Sequence, residues 1–221
     1  MKKILLSLVI LLHIGEAEML PKEFVYVVDK IPTIELEMRY CTSNNFIGKP
    51  IDGYIAPKAI LTLPATKALK KVQEELSHFA LGLKIFDAYR PQKAVDHFVR
   101  WGRDLADTKM KVEYYSTVEK KNLFKDGYIA KKSGHSRGST IDLTIIDLDT
   151  KEELDMGSAF DFFGERSWVK YRDITTQQRA NRMLLHNVMI KHGFKSYAEE
   201  WWHFTLKNEL FRDKYFNFNV E

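Results

Sequence analysis

Two histidines and an aspartate in this sequence have the residue types and the surroundings of a metal site. His135 lies in a glycine-flanked segment, and Asp142 follows seven residues later within an apolar stretch that has the character of a β-strand. His203 lies near the C-terminus among bulky aromatic residues. Two imidazoles and one carboxylate form the three-ligand set of a catalytic zinc ion, with a fourth position left for water. We therefore predict one zinc ion per chain, bound by these three residues.

Glu200 and Arg90 could supply the remaining catalytic groups. Because a bound metal lowers the pKa of its water, a nearby carboxylate such as Glu200 could accept the proton of that water. Glu200 and His203 lie three residues apart, so simple strand alternation places them on opposite faces. The hypothesis therefore requires Glu200 to precede the regular strand or to lie on a bulge. Arg90 precedes Pro91 at a predicted strand end, where its guanidinium could stabilise an oxyanion.

The apolar patterns predict the elements that must position these residues. Alternation or β-rich composition predicts strands over residues 34–40, 83–88, 140–146 and 201–206. Helical spacing predicts three helices: one from about Pro64 to before Gly82, one around residues 95–99, and one over residues 176–192. In the first helix, Phe79 is expected on the buried face. A glycine- and proline-containing loop occupies residues 44–54. With no repeat or linker, we predict a single α+β domain with a central, mainly antiparallel sheet flanked by helices.

Composition excludes several other classes of protein. The chain has 221 residues, of which 45% are hydrophobic and 29% charged, so it is neither disordered nor repeat-dominated. Its 34 basic and 30 acidic residues are mixed along the length, without the basic stripe of a nucleic-acid-binding protein, and we expect no nucleic-acid partner. Cys41 is the only cysteine, which excludes an intrachain disulfide and a Cys-rich zinc site.

The N-terminus has the pattern of a secretory signal peptide. A basic head, Met1–Lys3, precedes an apolar run over residues 4–14, and Gly15 and Ala17 supply the small residues of a cleavage site. We predict a signal peptide over residues 1–17 and an exported domain over residues 18–221, periplasmic or otherwise extracytoplasmic, without stable membrane association. The alternative is an uncleaved amphipathic or buried N-terminal helix, which would leave the protein in the cytoplasm.

Two simpler interpretations compete with the metal site. Residues 134–138 also fit GxSxG, the nucleophile elbow of serine hydrolases, but that motif needs a strand before it and a helix after it. Here a strand follows instead, which argues against a serine nucleophile. A single buried histidine is also more often a hydrogen-bonded core residue than a ligand. We assign that structural or solvated role to the histidines on the predicted helices, which are His78, His97, His186 and His192.

Three motifs together closely resemble those of the D-alanyl-D-alanine dipeptidases, zinc peptidases of the VanX type. They are FDAYRP at residues 86–91, SGHSRGSTIDLT at residues 133–144 and EEWWHF at residues 199–204. The resemblance extends from about Phe24 to the C-terminus, with small departures at Gly134 and Cys41. It implies the same zinc ligands, with Glu200 as catalytic base and Arg90 as the residue that stabilises the transition state.

The resemblance also implies a substrate and the residues that hold it. The implied reaction is zinc-dependent hydrolysis of the dipeptide D-alanyl-D-alanine, with Tyr40, Ser133 and Asp161 as substrate-binding residues and Asp161 facing the ammonium group. One alternative is a D-alanyl-D-alanine carboxypeptidase that trims longer peptidoglycan peptides, which would need a pocket open on the amino side. Another is a non-catalytic cell-wall binding module, which would have no need of Glu200 beside a complete ligand set.

Overall fold

The computed structural model describes residues 20–221, so the predicted signal peptide, residues 1–17, lies outside the described residues and stays a prediction. Seven strands and four α-helices follow one another along this part of the chain. They are β1 (Phe24–Tyr26), β2 (Glu35–Leu36), β3 (Ile60–Thr62), α1 (Leu63–Ser77), β4 (Leu81–Asp87), α2 (Gln92–Arg103), α3 (Lys111–Tyr114), β5 (Thr140–Asp147), α4 (Thr176–Lys191), β6 (Phe194–Tyr197) and β7 (Glu200–Leu206).

Five strands form the central sheet, in the order β2-β4-β5-β7-β6. β2 runs parallel to β4, and the other three neighbouring pairs are antiparallel. α1 packs against β4, α4 packs against β6, and the two helices contact each other, while β1 and β3 form a separate antiparallel pair. The predicted α+β domain with a mainly antiparallel sheet is confirmed. Within residues 20–221, no helix has the length and apolarity that crossing a membrane requires.

The two long helices begin where local chemistry predicts, and α4 also ends there. α1 has a proline in its first turn and buries one face, formed by Ala65, Leu69, Val72 and Leu76. α4 begins with a capping box between Thr175 and Gln178 and ends before Gly193, whose φ of 94° favours glycine. The prediction for Phe79 was wrong. α1 ends at Ser77, two residues earlier, and the Phe79 side chain is 71% exposed.

The prediction of a strand over residues 34–40 was wrong for most of its length. Only Glu35–Leu36 pair with β4, and Arg39–Cys41 form a 3-10 turn instead. That turn directs Tyr40 into the interior, where it is 1% exposed. Three strands, β1, β3 and β6, were not predicted, because three or four residues are too few to show a clear alternation.

The C-terminal segment, residues 207–221, packs along the central part of the protein. The Phe216 backbone N–H donates to the Ser136 carbonyl oxygen at 2.8 Å. Phe218 stacks on Tyr89 with ring centroids 4.0 Å apart, and the Tyr89 hydroxyl donates to the Phe218 carbonyl at 3.0 Å. Val220 forms a parallel bridge with Tyr54. The last residues of the chain therefore support the segments on either side of His135 and Arg90.

Candidate active site

Two aspartates and one histidine, Asp87, Asp142 and His203, form one row across the sheet. In the antiparallel ladders Asp142 of β5 pairs with His203 of β7 on one side and with Asp87 of β4 on the other. Directly paired residues in antiparallel strands present their side chains to the same face. His203 Nδ1 therefore lies 3.0 Å from Asp142 Oδ1. Strand register alone positions two of the three predicted metal ligands.

The third predicted ligand, His135, comes from a 3-10 turn, Gly134–Arg137, just before β5. The turn ends at Gly138, where φ is 80° and a Cβ would lie 2.2 Å from the Phe24 ring. His135 Nδ1 is 2.7 Å from the Ala88 carbonyl oxygen. Because a carbonyl can only accept, Nδ1 carries the proton and Nε2 keeps its lone pair. That lone pair faces the other two ligands, with Nε2 3.3 Å from His203 Nδ1 and 3.3 Å from Asp142 Oδ2.

The ligand atoms of His135, Asp142 and His203 all lie within 4.8 Å of one another. Asp142 Oδ1 is buried without a hydrogen-bond donor, since its contact with His203 lacks hydrogen-bond geometry. Although burial opposes ionisation, the neighbouring His135 and His203 hold the pKa of Asp142 below its usual range. A buried, ionised oxygen without a donor, facing two imidazole nitrogens, fits a divalent cation, and the donor set is typical of zinc.

Glu200 reaches the same cavity because β7 carries a bulge. Ser196 of β6 pairs with Phe204, but the next residue, Tyr197, pairs with Glu200, so the ladder skips three residues of β7. Glu200 Oε2 then lies 3.3 Å from His203 Nδ1, as the bulge hypothesis required. Burial raises the pKa of Glu200 to about 7, because the charged form is desolvated. A carboxyl group with that pKa can accept and return a proton near neutral pH.

Arg90 is held beside the ligands by Asp87, a residue to which the sequence analysis gave no role. Arg90 Nε donates to Asp87 Oδ2 at 2.9 Å, and Nη2 lies 2.8 Å from the same oxygen and 3.5 Å from Asp142 Oδ2. Asp87 is fully buried and also accepts from the Tyr54 hydroxyl at 2.5 Å. The strand-end spacing Asp87-x-x-Arg90 was the available signal, since i and i+3 side chains at a turn can meet.

Tyr40 and Asp161 form a second buried pair at this cavity. The Tyr40 hydroxyl donates to Asp161 Oδ2 at 2.8 Å, and Asp161 is 6% exposed. Burial, followed by the nearby negative charge of Asp142, raises the pKa of Asp161 well above its usual value. Among residues 20–221 the Asp161 carboxyl group has no ion-pair partner, so a cation that enters the cavity would favour the ionised form of Asp161 and pair with it.

One cavity of about 290 Å³ joins these groups. All eight predicted site residues line it: Tyr40, Arg90, Ser133, His135, Asp142, Asp161, Glu200 and His203. Ser133 caps the His135 turn, its Oγ accepting the His135 backbone N–H at 3.3 Å, and its hydroxyl proton remains free to donate. Aromatic walls complete the cavity, including Phe46, Phe98 and Phe163. Of the other histidines, His97 and His192 contact Asp52 and Glu75, away from the cavity.

A cluster of two histidines and an aspartate that could hold a metal ion, beside a buried carboxyl group and a guanidinium, is the arrangement expected of a metallopeptidase on this α+β fold. Comparison with known proteins agrees: the profile of the M15 peptidases, described as D-ala-D-ala dipeptidase, matches residues 21–221. The chain belongs to this family, and the resemblance seen in the sequence is confirmed.

Two relatives in the family match over nearly their whole length. The D-alanyl-D-alanine dipeptidase of Enterococcus faecalis is 42% identical, over 89% of this chain and 98% of the relative. The D-alanyl-D-alanine dipeptidase of Streptomyces coelicolor is 40% identical, over 90% of this chain and 98% of the relative. A mutant of the vancomycin-resistance D,D-pentapeptidase VanY in complex with Zn(II) is similar at 12% identity and a TM-score of 0.43, over 70% of this chain and 77% of that one.

Proposed function

We propose that the protein hydrolyses D-alanyl-D-alanine to two molecules of D-alanine, using one zinc ion per chain. The observation that carries this proposal is the unpaired Asp161 carboxylate, buried in the same cavity as the metal-ligand triad. A free dipeptide carries an ammonium group one residue away from its only peptide bond, and that group fits Asp161. The names of the relatives, D-alanyl-D-alanine dipeptidase, support the same substrate.

His135, Asp142 and His203 would hold the zinc ion, since their ligand atoms converge and Asp142 Oδ1 is buried without a hydrogen-bond donor. When bound, zinc supplies a Lewis acid that polarises the peptide carbonyl and lowers the pKa of water. The protein prepares the ligands in advance. The Ala88 carbonyl fixes the tautomer and orientation of His135, and the strand ladder fixes the other two ligands.

Glu200 acts as the general base and then as the general acid. Its carboxylate takes the proton of the attacking water, and the same group later delivers a proton to the leaving amine. A pKa of about 7 suits both transfers, because neither the charged nor the neutral form is strongly favoured near neutral pH. Arg90, oriented by Asp87, donates hydrogen bonds to the oxyanion that develops on the carbonyl.

Asp161 and Tyr40 bind the ammonium group of the substrate at one end of the cavity. The Tyr40 hydroxyl fixes one Asp161 oxygen at 2.8 Å, and the other oxygen is available to the substrate. Ser133 offers a hydroxyl donor from the cap of the His135 turn. Because an N-acyl group would remove the positive charge, an acylated substrate would leave Asp161 buried without a partner.

Turnover of D-alanyl-D-alanine by purified protein, with and without a chelator, tests the proposal. We expect turnover that the chelator abolishes and zinc restores, with about one zinc per chain by metal analysis. N-acetyl-D-alanyl-D-alanine should react at least about 1000-fold more slowly, because its ammonium contact is missing. The L,L dipeptide should also be poor. Similar rates for the free and acetylated dipeptides would instead favour the carboxypeptidase alternative.

Export of the protein remains a separate proposal, supported by the basic head and apolar run of residues 1–14. N-terminal sequencing of protein from the native host should give a chain that begins near Glu18. Intact Met1 in the cytoplasmic fraction would contradict export.

A further inference from the structure

The segment that carries Asp161, residues 155–168, contains no helix or strand except a 3-10 turn, Glu165–Ser167. Asp161 itself has a φ of 60°, a left-handed conformation that a residue with a side chain adopts only at a cost. Phe160 stacks on Phe86 at 4.6 Å before it, and Phe163 packs against Phe46 at 5.0 Å after it. The surroundings must therefore hold this segment in its conformation.

Arg182 of α4 joins the two ends of this segment. Its guanidinium is directed at acceptors on both sides of Asp161. On the N-terminal side of Asp161, Nε donates to the Met156 carbonyl at 2.5 Å and Nη2 contacts Ser158 Oγ at 3.4 Å. On the C-terminal side, Nη2 donates to the Arg166 carbonyl at 2.8 Å and Nη1 donates to the Trp168 carbonyl at 2.9 Å. One side chain thus closes a loop of about a dozen residues with Asp161 near its middle.

The buried Arg182 guanidinium loses its hydration, and its hydrogen bonds hold the two ends of the loop in place. Arg182 is 4% exposed, and among residues 20–221 it forms no salt bridge with a carboxylate. Burial lowers the pKa of Arg182 to about 10, since the cation is taken out of water. An apolar residue would fill the space at less cost, but only arginine offers five N–H donors in a rigid planar fork. Its four bonds define the separation of the loop ends.

We propose that Arg182 is a positioning residue: by tying residues 156–158 to residues 166–168, it holds Asp161 with its carboxylate in the cavity and thereby sets the selectivity for a free ammonium group. This inference rests on the proposed function, in which Asp161 binds that group. It concerns selectivity and not the chemical step, because Arg182 touches neither the metal ligands nor Glu200.

Arg182→Lys tests the proposal, because lysine keeps the charge and loses the fork. We expect KM for D-alanyl-D-alanine to rise about 10-fold or more, with kcat within about 3-fold and zinc content unchanged. The preference for the free over the N-acetylated dipeptide should fall by at least about 10-fold. The matched control is Val188→Ala, also a buried residue of α4, which lines a surface pocket with Leu76 of α1, away from the loop. It should lower the Tm and leave both KM and the preference unchanged.

Amide hydrogen exchange gives a readout independent of turnover. In Arg182→Lys the amides of residues 156–168 should exchange faster, while those of β5 and β7 stay protected. Arg182→Gln, whose amide keeps two N–H donors but cannot span both loop ends, should show the same effects, and it serves if Arg182→Lys does not fold. Unchanged KM and preference in folded variants would overturn the role of Arg182 while leaving the proposed function intact. A wild-type enzyme that does not distinguish the two dipeptides would overturn both.

Discussion

The two halves of the active site are built differently. On the sheet side, Asp87, Asp142 and His203 occupy one row on three neighbouring strands, and backbone ladders position them. On the loop side, Tyr40 and Asp161 come from segments 121 residues apart and are joined by a single side-chain hydrogen bond. Of the groups proposed for bond breaking, Asp142, Glu200 and His203 thus lie on strands, whereas the groups proposed for substrate choice lie outside the sheet. The difference predicts that substitutions on the sheet side lower kcat, whereas substitutions on the loop side change selectivity.

The largest effect should come from His203→Ala, on the sheet side. Losing a ligand removes the polarising ion and the activated water together, so turnover should fall by more than about 10,000-fold, beyond the usual range of a general base. Metal analysis should show loss of the bound zinc, and circular dichroism should show a folded protein. A variant that is fully active without metal would end the zinc proposal.

Glu200→Gln should separate the base from the metal. The amide retains the shape of the carboxylate but cannot accept a proton, so kcat should fall about 1000-fold while KM and zinc content stay close to wild type. Steady-state kinetics and metal analysis on the same preparation check this. If the variant keeps a near wild-type rate, the base lies elsewhere, and Glu199→Gln is the next variant to measure.

Asp161→Ala tests the loop side. We expect kcat/KM for D-alanyl-D-alanine to fall about 100-fold, because the ammonium loses its counter-ion, and the value for the N-acetylated dipeptide to change little. Zinc should remain bound. Tyr40→Phe is the milder companion, with an expected loss of about 10-fold from one hydrogen bond. A variant lacking the carboxylate that keeps the full wild-type preference for the free dipeptide would place ammonium recognition at another residue.

The smallest effect on the sheet side should come from Asp87→Asn, which lies behind Arg90. The amide keeps the volume but weakens the charge-assisted contacts to the guanidinium, so kcat should fall about 10- to 100-fold with zinc retained. Arg90→Ala should cost more, on the order of 100-fold or above. In the double variant the two losses should not add, and full additivity would show that Asp87 does not act through Arg90.

The same contrast explains what could be predicted from the sequence. His135 and His203 followed from residue type and surroundings, Asp142 followed from strand alternation, and the odd spacing of Glu200 correctly required a bulge. Local patterns are enough for the strand residues Asp142 and Glu200, because side chains alternate between the two faces of a strand with a period of two. Asp161 followed only from the family resemblance, since nothing in its local sequence indicates a left-handed backbone in a buried segment.

The remaining failures are also long-range. Tyr40 was placed on a strand, but a 3-10 turn directs it to Asp161 across the fold. Arg182 has the local pattern of an ordinary basic residue on a helix, and only the folded loop beside it shows why it is buried. Contacts between residues distant in sequence leave no periodic signal, so neither residue could be placed from the sequence alone.

The packing of the C-terminal segment has a consequence for synthesis of the protein. The Phe216 backbone hydrogen-bonds to the turn that carries His135, and the Phe218 ring stacks on Tyr89, the residue before Arg90. Val220 forms a β-bridge with Tyr54. Because synthesis runs from the N-terminus, these residues emerge from the ribosome only after Tyr54, Arg90 and His135, which they support. The nascent chain therefore cannot complete these contacts until residues 216–220 have emerged, and a chain that stopped before Phe216 would leave the turn of His135 and the segment before Arg90 without this support.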